Sequence, residues 1–96
     1  MFIPRLNPDG TFQVTMRELP FEGNPDIYCK GSYNVIAARL LGFTYPDYLR
    51  YCRAHGGILR GKAGYSFCVF KEKKDCDNIC RMLNVQMKRL EEKLNA

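Results

Sequence analysis

Apolar and polar positions alternate at the start of the chain. Phe2 to Leu6 and Thr11 to Met16 flank Asn7-Pro8-Asp9-Gly10, where Pro fixes φ and Gly accepts a positive one, so the pattern predicts a β-hairpin. In its second strand Phe12, Val14 and Met16 share one side, which predicts one buried face. Pro4 has no N–H for a ladder, which marks the first strand as a sheet edge. Residues 17–31, with Leu19-Pro20, Gly23-Asn24-Pro25 and Gly31, read as an irregular connector.

The period then changes from two to 3.6. Ser32 is a candidate cap for a helix over Tyr33–Leu41, which Gly42 stops. Thr44 caps a second helix with Pro46 in its first turn and Asp47 at the capping-box position. Tyr45, Tyr48, Leu49 and Cys52 form its apolar stripe; Asp47, Arg50, Arg53 and Ala54 fall opposite, with Tyr51 between, and Gly56-Gly57 ends it. The short turn around Leu41-Gly42-Phe43 suits a helix-turn-helix. Ile58–Arg60, Gly61-Lys62-Ala63-Gly64 and Tyr65–Phe70 predict a second hairpin with Arg60 and Lys62 at its tip.

A long helix over Lys73–Leu94 completes the order ββααββα. Its apolar positions Cys76, Cys80, Leu83, Met87, Leu90 and Leu94 follow a heptad spacing, widened by Ile79. Such a seam either covers the domain's own core or pairs two copies as a homodimer through 76–94. The expected fold is therefore α+β: a single domain over 1–96, with hairpin and connector at 1–31, a helix-turn-helix and second hairpin at 32–70, and a C-terminal helix at 71–96.

Charge narrows the function. The chain of 96 residues carries 15 Lys and Arg against 10 Asp and Glu, a net of +5. Residues 1–29 sum to −2 and 75–96 to zero, whereas 30–74 hold nine basic residues against Asp47 and Glu72, a net of +7. A basic middle suits a phosphate backbone or an acidic protein surface. A chain this short supports one core and not a two-domain cofactor enzyme. No apolar run approaches the roughly 20 residues of a membrane span, and the first ten residues lack a signal-peptide layout. Five cysteines, an odd number without a secretion signal, point to free thiols and a cytoplasmic location.

Ala37-Ala38-Arg39-Leu40-Leu41-Gly42-Phe43-Thr44, followed by Tyr48-Leu49-Arg50-Tyr51-Cys52-Arg53-Ala54-His55-Gly56-Gly57-Ile58-Leu59, resembles the winged-helix DNA-binding domain of MerR-type regulators and phage excisionases. Those carry an Ala-x-x-Leu-Gly-Val-Ser turn, a Leu-Arg-Tyr-Tyr recognition helix and a Gly-Leu-Leu lead into the wing. The resemblance covers about residues 35–80. Ser66 stands where the family has a wing arginine, Cys52 replaces its second tyrosine, and residues 1–31 have no counterpart. It implies that Arg50, Tyr51 and Arg60 contact a DNA backbone.

The leading expectation is a non-catalytic module for double-stranded DNA, an excisionase-like or repressor-like factor, with Arg39, Arg50, Tyr51, Arg53, Arg60 and Lys62 as candidate contacts. The alternative keeps these residues and changes the partner. Tyr28, Tyr33, Tyr45, Tyr51 and Tyr65 with interspersed arginines also suit a small inhibitor of the phage anti-defence type, bound to an acidic surface of a protein in nucleic-acid metabolism. Cys52 with His55, and Cys76 with Cys80, form a further alternative set for zinc by ligand type and helical spacing. No cofactor motif is present. With one histidine and scattered acids, catalysis is not expected.

Overall fold

Asn7-Pro8-Asp9-Gly10 turns the chain back between β1 (Phe2–Leu6) and β2 (Phe12–Met16). Gly10 N–H donates to the Asn7 carbonyl at 3.0 Å with Gly10 at φ 87°, and Asp9 accepts from both the backbone and the hydroxyl of Thr11. The structure, a computed structural model, describes residues 1–17, 33–62 and 65–94, and the side chains of these except Tyr33, Lys62, Tyr65 and Leu94. Most of the connector expected over 17–31, with Tyr28, Cys29 and the cap candidate Ser32, lies outside the described residues. So do Ala63 and Gly64.

Among the described residues three helices and two further strands follow: α1 (Tyr33–Leu40), α2 (Tyr45–Ala54), β3 (Gly57–Lys62), β4 (Tyr65–Phe70) and α3 (Lys73–Leu94). The class and the ββααββα order match the expectation. The sheet itself was not foreseen. All four strands join in the antiparallel order β1-β2-β4-β3, the two hairpins meeting through the Phe12↔Phe70 pair. β1 is an edge strand, as Pro4 indicates.

β3 starts at Gly57 and runs through Lys62, longer than the Ile58–Arg60 expected, with its register closing at Lys62↔Tyr65. Arg60 is therefore inside the strand opposite Phe67, not at the hairpin tip.

One face of the sheet carries the core. Phe2, Val14, Met16, Cys68 and Phe70 pack there against Ile36, Ala37 and Ala38 of α1, Tyr48 and Cys52 of α2, and Cys76, Ile79, Cys80, Leu83 and Met87 of α3. The first four seam positions of α3 are thus at most 4% exposed inside a single molecule. These positions cover the domain's own core, the first of the two expectations for the seam.

The turn between α1 and α2 is built by two devices. Gly42, at φ 73°, closes α1 with its N–H on the Arg39 carbonyl at 3.1 Å, while Phe43 N–H reaches the Ala38 carbonyl at 2.9 Å. This is the paired ending that needs a left-handed residue, which glycine adopts freely. Thr44 then caps α2, its hydroxyl accepting from Asp47 N–H at 3.3 Å. At the other end of α2 a Cβ on Gly57 would come within 2.6 Å of the Cys52 carbonyl oxygen, so only glycine lets β3 leave so close to the helix.

Candidate nucleic-acid interface

The amphipathic pattern of α2 fixes which residues it presents. Tyr48 and Cys52, one turn apart, are buried, which leaves Pro46, Arg50, Arg53 and Ala54 exposed along the other side. Arg50 is ion-paired to Asp47 one turn earlier, yet its side chain remains 72% exposed. Hydrogen bonds from Arg50 and from the Thr44 cap hold the Asp47 carboxyl below its ordinary value. Arg53 is exposed and forms no ion pair among the described residues.

Tyr51 lies between the exposed stripe and the core. Its ring lies 5.4 Å from Phe43 and 4.5 Å from His55, and its hydroxyl donates to the Met82 sulfur at 2.7 Å. It is half-buried and joins the α1–α2 turn, the end of α2 and the middle of α3. Phe43 and Met82, both partly exposed, extend this apolar seam to the surface.

The remaining candidates separate. Cys68, on the helix-covered face, pairs with Leu59 across β3 and β4, so Arg60 and its partner Phe67 project from the opposite face. There Arg60 ion-pairs with Asp9 of the β1–β2 turn. The Thr11 hydroxyl, then Arg60, hold the Asp9 carboxyl well below the usual carboxylate range. Lys62 is the last residue of β3, paired with Tyr65. Arg39, in the last turn of α1, lines a cleft with Arg89 and Lys93 of α3. Sequence reading overlooked those last two. Their spacing of four on one helix face was the available signal.

The described cysteines are core residues. Cys52, Cys68, Cys76 and Cys80 are all buried and reduced. A hydrogen bond between the thiols of Cys52 and Cys68, together with burial, holds Cys52 far above the ordinary thiol range. Tyr48 is pushed up mainly by burial, its hydroxyl lying beside the Cys52 thiol without a well-formed hydrogen bond to any group. His55 is exposed against the Tyr51 ring, apart from the buried thiols. The Cys52, His55, Cys76 and Cys80 set is therefore not brought together, and among the described residues no three His, Cys, Asp or Glu side chains are placed to hold a metal ion. No described helix is long and apolar enough to cross a membrane.

Comparison with known proteins found no match to a family model, a curated protein or a solved structure.

Proposed function

We propose that this chain is a non-catalytic DNA-binding module in which α1, the turn over residues 41–44 and α2 act as a helix-turn-helix and β3–β4 as a wing. α2 would lie in a major groove with Arg50 and Arg53 toward phosphates or guanine edges. The observation that carries this reading is the exposed cationic stripe on α2, whose other side is anchored by Tyr48 and Cys52. The Thr44 cap and the Gly42 ending support it by fixing both ends of the turn. Lys62 would meet the backbone beside the groove. Arg60 would do so only by exchanging Asp9 for a phosphate.

The resemblance to MerR-type regulators and excisionases supports this reading, as does the excess of basic residues in the middle of the chain. A second reading rests on Phe43 and Met82, exposed around Tyr51. This apolar seam beside arginines suits an acidic protein partner and an inhibitor's role, because aromatic and arginine side chains dominate interface hot spots. A pull-down from nuclease-treated host lysate separates the two: a protein partner survives digestion, whereas a DNA-mediated complex is lost and naked duplex binds directly.

A further inference from the structure

Arg39 identifies a second charged site. It lies in the last turn of α1 and shares a cleft of about 260 Å³ with Leu40 and with Gln86, Arg89, Leu90 and Lys93 of α3. Among the described residues three cations and one carboxamide line this cleft, and no carboxylate does. The ion pairs among the described residues, Asp47–Arg50 and Asp9–Arg60, involve none of these cations. Of the neighbouring acids, Glu91 lines a different groove with Met1 and Asn84, and Glu92 is exposed and lines neither.

Arg89 and Lys93 are like charges one turn apart, an arrangement that weakens an isolated helix. Arg39 adds a third positive charge from another element. The end of α1 does not account for this convergence, since the Ala38 and Arg39 carbonyls are already taken by Phe43 and Gly42 N–H. At roughly 30 Å³ per water the cleft has room for about eight or nine waters, more than a phosphate group displaces. Guanidinium forks match phosphate oxygens in pairs, an ammonium adds a point charge, and Gln86 can donate a further hydrogen bond.

We propose that the cleft between the end of α1 and the last turns of α3 is a phosphate-binding site, built from Arg39, Arg89 and Lys93 and oriented by Gln86. It is formed by other elements than the α2 stripe and does not depend on how that stripe is used. Two sources supply this chemistry, a free phosphate or the phosphodiester of a nucleic acid.

The test is an NMR titration of the isotope-labelled full chain at constant ionic strength, following the arginine Nε–H signals. One arm uses inorganic phosphate and the other a short duplex of mixed sequence. The Arg39 and Arg89 signals should shift in a saturable way in at least one arm, ahead of those of Arg50 and Arg53 in the phosphate arm. Response to inorganic phosphate identifies a free-phosphate site; response to duplex alone identifies a phosphodiester site. Arg39→Gln with Arg89→Gln should weaken that binding at least tenfold while the core amide spectrum stays unchanged, and Lys93→Gln should weaken it less. Shifts that stay linear in both arms, or binding that survives the double substitution, would overturn the proposal.

Discussion

The side-chain amide of Asn84 is hydrogen-bonded to both backbone groups of Phe2. Asn84 Oδ1 accepts from Phe2 N–H at 2.6 Å and Asn84 Nδ2 donates to the Phe2 carbonyl at 3.0 Å. Met1 and Asn7 point their backbone groups at β2, through Arg17 and Thr11, so by antiparallel alternation Phe2, Pro4 and Leu6 point theirs off the open edge of the sheet. Asn84 thus stands in for a missing strand at Phe2, and Pro4 removes the next donor. An edge strand managed in this way is closed to pairing with another chain.

Asn84→Ala should therefore act twice. Leaving the part-buried groups of Phe2 without partners should lower stability by about 1–3 kcal/mol, read as a shift in the urea midpoint. The opened edge should also promote self-association, seen as concentration-dependent light scattering. An unchanged midpoint would show that water replaces the clamp at no cost.

Tyr48 offers a substitution of the opposite sign. Its hydroxyl is buried without a hydrogen-bond partner, a state that costs free energy. Tyr48→Phe keeps the ring and removes the orphaned group, so stability should rise by about 1 kcal/mol in chemical denaturation. A loss of stability would mean that the hydroxyl bonds to the Cys52 thiol beside it.

Thr44→Ala should destabilise the chain by about 1 kcal/mol, because Asp47 N–H then loses its cap, and Thr44→Ser should restore most of the loss. Equal midpoints for all three proteins would show that α2 is held by packing alone.

Asp9 links acidity to stability. Its carboxyl is depressed in the folded state by Thr11 and Arg60. A depressed acid contributes stability that is fully present above its ordinary value of 3.8 and is lost as pH falls toward its folded value. Asp47 acts with the same sign. Comparing thermal midpoints at about pH 6 and about pH 3, Asp9→Asn should show a smaller drop than the wild type. An identical drop would remove Asp9 from the linkage.

Local rules carried much of the fold. The period of two in Phe12–Met16, the period near 3.6 through α2, and the Thr44 and Gly42 ends all mark their elements within a few residues. What they cannot mark is which distant elements meet. The Phe12↔Phe70 pair that fuses the hairpins depends on packing between segments far apart in sequence. Asn84 is a single polar residue with no pattern around it, and its role exists only because β1 passes beside it. Arg60 was expected at a hairpin tip because Gly61 resembles a turn residue; pairing with Ser66 keeps it in the strand and directs Arg60 to Asp9. The cysteines at helical spacing resembled ligands and are core side chains, since a small thiol packs as a hydrophobe.

The cationic face of α2 is tested most directly by duplex binding against salt. Fluorescence anisotropy with a labelled duplex of random sequence gives the slope of log K against log salt, to which each neutralised phosphate contributes about −0.9. Arg50→Ala combined with Arg53→Ala should weaken binding and flatten that slope by about 1.8, whereas Arg60→Ala, whose guanidinium already holds Asp9, should change it less. A double variant that binds with the wild-type slope would contradict the docking of α2 on DNA.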